Sequence, residues 1–96
     1  MMILITYDVE VSSEEGNSRL RKVAKECKNY GQRVQNSVFE CVISEADFVV
    51  LQNKIKSIID PDKDSIRFYF LGRNWQKRIE CIGKVTSYDV TSELII

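Results

Sequence analysis

The chain opens on an apolar run that ends in an acid: Ile3-Leu4-Ile5-Thr6-Tyr7-Asp8-Val9. A run of this length, rich in β-branched residues, predicts a buried strand over residues 2–9. An ionised carboxylate without a partner is costly to desolvate, so Asp8 is expected where the strand leaves the core. Glu10 to Asn17 is polar, with Ser12, Ser13 and Gly16 as breakers, and reads as a loop. Ser18 is then the expected N-cap. From Arg19 to Tyr30 the period becomes helical: at about 100° per residue Leu20, Val23, Ala24, Cys27 and Tyr30 share one face. Arg21, Lys22, Lys25 and Lys28 share the opposite face, and Gly31 is the expected C′ residue.

Arg33 to Ile43 is strand-rich, but Val34, Val38 and Val42 have one parity and Phe39, Cys41 and Ile43 the other. One uniform strand cannot bury both sets, so a tight turn or bulge is expected near Asn36-Ser37. Ser44-Glu45-Ala46-Asp47 resembles a capping box and opens a second helix. Phe48, Leu51, Ile55, Ile58 and Ile59 form its apolar face, and Asp60-Pro61 stops it. Ser65 to Leu71 alternates Ile66, Phe68 and Phe70 against Arg67 and Tyr69, as a half-buried strand does. Residues 79–85 suit a last short strand, and the tail ends in Leu94-Ile95-Ile96, an apolar end expected to dock on something. The order β-α-β-β-α-β predicts an α+β, ferredoxin-like domain over residues 1–96: one antiparallel sheet with two helices on one face, plus an additional C-terminal strand.

Ninety-six residues suit one domain with one core, and a homodimer would add burial. The 14 basic and 14 acidic residues cancel, yet charge is unevenly placed. Residues 19–33 hold six cations (Arg19, Arg21, Lys22, Lys25, Lys28, Arg33) and one acid (Glu26), a net +5. Arg73, Trp75, Lys77 and Arg78 form a weaker second cluster that mixes cations with an aromatic. The chain has no histidine, which excludes Ser-His-Asp and Cys-His catalysis and histidine metal ligands. Cys27, Cys41 and Cys81 form no CxxC pair and read as buried, reduced residues of a cytoplasmic protein. No apolar run approaches the ~20 residues that span a membrane, and the N-terminus has no signal-peptide pattern. A carboxylate beside a cationic surface suggests a phosphate held by the cations and a divalent metal held by the acid.

Four segments carry a family resemblance: ILITYDV at 3–9, RLRKVAKEC at 19–27, YGQRVQNSVFEC at 30–41 and DSIRFYFLG at 64–72. In order and spacing they resemble the small CRISPR-associated nuclease family, the smaller of the two universal CRISPR adaptation proteins and partner of the CRISPR integrase. The resemblance implies a symmetric homodimer of ferredoxin-like protomers, with the aspartate of the YDV motif, here Asp8, near the two-fold axis. It implies a Mg2+-dependent (or Mn2+-dependent) endonuclease acting on double-stranded DNA or single-stranded RNA. It also implies a dimer that bridges integrase dimers during spacer acquisition, with residues 79–96 packing on the partner subunit.

Under that reading Asp8 is the catalytic and metal-binding residue. A lone carboxylate is a poor Mg2+ site, and a two-fold dimer supplies a second Asp8. Without the resemblance, a strand-end acid that caps a loop or pairs with a cation is the simpler account. Arg19, Arg21, Lys22 and Arg33 are candidates to hold nucleic-acid phosphates; the plain alternative is the solvated face of an amphipathic helix. Lys25 and Lys28 read as surface or scaffold contacts. Tyr7, Ser37 and Phe39 are supporting candidates, with core tyrosine, turn residue and core phenylalanine as their plain readings. A rival function is a DNA-binding scaffold of the integrase complex that needs no cleavage. An RNA-binding module of the same topology is disfavoured, because VQNSVFE lacks the paired aromatics that stack bases. A toxin-like ribonuclease fold is a further minor alternative.

Overall fold

The computed structural model describes residues 1–72 together with 74, 80 and 82. The second cationic cluster (Arg73, Trp75, Lys77, Arg78), Cys81, and the expected strand and tail over 79–96 lie outside the described residues, apart from the positions of Glu80 and Ile82. Within them the elements are β1 (Met2–Asp8), α1 (Glu14–Lys28), β2 (Gly31–Gln35), β3 (Val38–Val42), α2 (Glu45–Ile58) and β4 (Ser65–Gly72). The sheet runs β2-β3-β1-β4 with every neighbouring pair antiparallel. This is the expected α+β ferredoxin-like order, and it puts β1 at the centre.

Alternation decides what β1 and β3 bury. Ile3 lies opposite Cys41 and Ile5 opposite Phe39. With Tyr7, Val9 and Ile43 they form one core cluster with Val23, Ala24 and Cys27 of α1 and Leu51 and Ile55 of α2. Phe39 is fully buried, so truncating it to Ala would cost roughly 3–5 kcal/mol. The parity conflict between the valines and Phe39 is resolved as the sequence required. Residues 36–37 turn the chain between β2 and β3, and the register shifts between Arg33 and Gln35.

Three local readings are corrected. Helix α1 begins at Glu14, not Arg19, because Ser13 rather than Ser18 is the N-cap: its side chain accepts the Gly16 N–H. Glu14 and Glu15 in the first turn suit the positive end of the helix dipole. Gly16 is therefore helical; a side chain there would overlap the Glu10 carbonyl oxygen. At the other end Asn29 is the C-cap in right-handed geometry, and Gly31 opens β2 without a positive φ. Finally, Phe70 is 57 % exposed, not buried. It lies beside a register shift between Met2 and Ile3, and its main cover is Phe48, which meets both Phe68 and Phe70 edge-on at 5.2 and 5.3 Å. Helix α2 is capped by Ser44, which accepts the Asp47 N–H, as expected.

Candidate nucleic-acid and metal site

Tyr7 and Asp8 are consecutive at the end of the central strand, and alternation sends them to opposite faces of the sheet. Tyr7 is buried on the helix side, whereas Asp8 is exposed on the open side, beside Ser65 of β4. The strand end is fixed in place by the β2–β3 turn. The Tyr7 N–H donates to the Ser37 carbonyl and the Tyr7 hydroxyl to the Asn36 carbonyl, both at 3.1 Å. Tyr7 also stacks on Phe39, with ring centres 6.1 Å apart. The Arg33 guanidinium lies over the Phe39 ring at 5.3 Å, an arrangement that holds a cation without an acid. Burial pushes the Tyr7 hydroxyl above its ordinary range, against the opposing pull of Arg33.

On the helix side, a cleft of about 510 Å3 opens between α1 and the turn. Tyr7, Leu20, Ala24, Arg21, Lys25, Lys28, Arg33, Asn36 and Ser37 line it. The candidate cations thus divide. Arg21 and Arg33 enter the cleft, Lys22 is exposed on α1 outside it, and Arg19 is engaged elsewhere. Its Nε donates to Asp64 at 2.7 Å and its Nη2 at 3.2 Å. The Asp64 side chain is fully buried and also accepts the backbone N–H of Glu10 and of Asp60. Arg19 holds the Asp64 carboxyl below its usual range, the two backbone donors add to this, and desolvation opposes it.

Sequence reasoning set Lys25 and Lys28 aside, yet both line the cleft. Their signal was available: positions 21, 25 and 28 recur at i, i+4 and i+7, one stripe of a helix, from which 19 and 22 diverge. Asn36 and Asp64 had no such signal, since each depends on a contact made far along the chain.

Among the described residues no group of three or more Cys, Asp or Glu side chains is placed to hold a metal ion. A lone Asp8 carboxylate is short of the oxygen set that Mg2+ takes. No helix among the described residues is long and apolar enough to cross a membrane.

A family model, CRISPR associated protein Cas2, matches residues 1–79. The chain belongs to the Cas2 family. It is 53 % identical over 95 residues to the CRISPR-associated endonuclease Cas2 of Halalkalibacterium halodurans, covering 99 % of each chain. It is 50 % identical over 96 residues to the CRISPR-associated endoribonuclease Cas2 of Chlorobaculum tepidum, covering all of both chains. Among solved structures, Streptococcus pyogenes Cas2 matches with a TM-score of 0.77 and 57 % identity, over 86 % of this chain and 100 % of that one. Membership of the Cas2 family gives this chain a CRISPR-associated role, and the Cas2 structure shares its fold.

Proposed function

We propose that the chain is a metal-dependent endonuclease of CRISPR spacer acquisition, working in the cytoplasm as a symmetric homodimer that hydrolyses phosphodiester bonds of double-stranded DNA or single-stranded RNA. The observation that carries this reading is the position of Asp8: an exposed carboxylate at the end of the central strand, next to a residue pinned by two hydrogen bonds. Such an acid is held in place without being consumed by an internal ion pair. The names endonuclease and endoribonuclease borne by the relatives support the hydrolytic part.

Asp8 from each of two copies would hold Mg2+ or Mn2+. When bound, such an ion activates water and offsets charge on the scissile phosphate. Arg21, Lys22 and Arg33 attract and orient the nucleic-acid backbone. Tyr7, Ser37 and Phe39 position the strand end that carries Asp8. The open sheet face favours a second copy: Val42 and Tyr69 are 37 % and 43 % exposed there. The same dimer would bridge two integrase dimers, with residues 79–96 packing on the partner.

The second reading is a DNA-binding scaffold of the integrase complex that does not cut. The cations Arg21 and Arg33 at one cleft favour it, since they hold phosphates without cutting. The deciding experiment compares purified wild type and Asp8→Asn on labelled duplex DNA and single-stranded RNA, with Mg2+, Mn2+ or chelator. Metal-dependent cutting that disappears in the variant supports the nuclease and names its substrate. No cutting, or equal cutting by both, leaves the scaffold.

A further inference from the structure

The cleft on the helix side brings Lys25 and Lys28, which the Asp8 reading does not use, beside Arg21 and Arg33, which it does. Arg21, Lys25, Lys28 and Arg33 converge on it, and no acid is among its lining residues. The fold concentrates this charge. Glu26, the one acid in residues 19–33, turns to Lys54 of α2 at 3.7 Å, and Arg19 is neutralised by Asp64. What remains of the basic stretch faces the cleft or the solvent beside it. Like charges brought together without acids raise the local potential and attract an anion.

The shape narrows the anion. About 510 Å3 is more than a bare phosphate needs, and is within the range of small-molecule sites. The lining combines Tyr7, Leu20 and Ala24 with the four cations and with Asn36 and Ser37. Cations beside apolar side chains in one cleft match a phosphate joined to a sugar and a base. A duplex keeps its bases paired and stacked inside and cannot present one to a concave pocket; a single strand can. Two parts of the lining are preorganised: Arg33 rests on Phe39, and the 36–37 turn is tied to Tyr7.

We propose that the cleft between α1 and the 36–37 turn is a nucleotide subsite, binding one phosphate-bearing unit of a single-stranded nucleic acid. Its phosphate meets Arg21, Lys25, Lys28 and Arg33, and its base or sugar lies against Tyr7, Leu20 and Ala24. Because Tyr7 and Asp8 face opposite sides of the sheet, the subsite anchors a strand away from the scissile bond. The inference rests on the nucleic-acid part of the proposed function and is independent of hydrolysis.

The test is fluorescence anisotropy with the full chain in chelator, using a labelled single strand of about eight nucleotides and the matching blunt duplex. Lys25 and Lys28 are exposed, so the double variant Lys25→Glu/Lys28→Glu should keep the fold, checked by its thermal midpoint. It should weaken single-strand binding roughly tenfold or more and duplex binding by much less. Lys25→Gln/Lys28→Gln should act in the same direction more weakly. Lys56→Glu on α2, half that change of charge and outside the cleft, should stay within about twofold of wild type. Tighter binding of a 5′-phosphorylated strand than of its 5′-hydroxyl form assigns the subsite to a terminal phosphate; equal binding assigns it to an internal one. An equal loss in Lys56→Glu, or an equal loss for duplex and single strand, would overturn the subsite. So would a wild-type protein that binds neither. Absence of cleavage in the Asp8 assay would sink the nuclease reading alone, since the anisotropy test is run in chelator and needs no hydrolysis.

Discussion

Arg19 and Asp64 stand 45 residues apart in sequence and meet through two hydrogen bonds, at 2.7 and 3.2 Å. The pair joins α1 to the segment between α2 and β4. Asp64 also accepts N–H groups from Glu10 and Asp60, so one buried carboxylate ties together three stretches of chain. A cation that the sequence offered to nucleic acid is thus a structural one.

The pair gives stability a defined pH dependence. Asp64 is held below its ordinary value in the folded protein, so it contributes fully above the unfolded value of about 3.9 and loses that contribution as pH falls through the folded one. Asp64→Asn should lower the thermal midpoint at pH 7 by roughly 5–10 °C. The gap to wild type should shrink below about pH 4. Midpoints measured from pH 2 to 7 check both; a gap constant with pH would refute the linkage.

Burial makes two thiols inert. It pushes Cys27 up to about 12 and Cys41 up to about 11, with each group's acidic or thiol neighbours adding to the effect. Thiolate is the reactive form, so native protein at pH 8 should leave both unalkylated by iodoacetamide over the time that modifies them fully in urea. Peptide mass mapping reads the result, and rapid native labelling of either thiol would contradict it.

Gly31 is required for close approach between strands. A methyl group there would overlap the Glu40 carbonyl oxygen and the Cys41 side chain across the β2–β3 pair. Gly31→Ala should cost roughly 2–3 kcal/mol in urea unfolding, read as a lower midpoint at unchanged slope. A cost below about 0.5 kcal/mol would mean that the strands separate easily.

Asp8 should separate chemistry from folding. It is exposed and makes no ion pair among the described residues, so Asp8→Asn should leave the thermal midpoint within about 2 °C of wild type. Under the nuclease reading, metal-dependent cleavage should fall roughly a hundredfold or more. A protein held monomeric by Tyr69→Glu on the open sheet face should lose cleavage as well. Retained cutting by a monomer, verified by sedimentation, would rule out shared use of two Asp8 residues.

The element order, the central strand ending in Asp8, the Ser44 cap and the 36–37 turn were all legible in the sequence, because each follows from local periodicity and turn chemistry. The start of α1 was misjudged for a related reason. Ser12, Ser13 and Gly16 look like loop formers until the Glu10 carbonyl approaches Gly16 and Ser13 caps the helix. What the sequence by itself determined was the alternation that buries Ile3, Ile5 and Tyr7 and leaves Asp8 at the surface. Only the tertiary structure decided how the +5 stretch is used. Arg19 goes to Asp64, Glu26 goes to Lys54, and Arg21, Lys25, Lys28 and Arg33 gather around one cleft. Charges act over distances in space, and sequence spacing fixes those distances only within one helix or strand. The ion-pair partners of Arg19 and Glu26 lie 45 and 28 residues away along the chain.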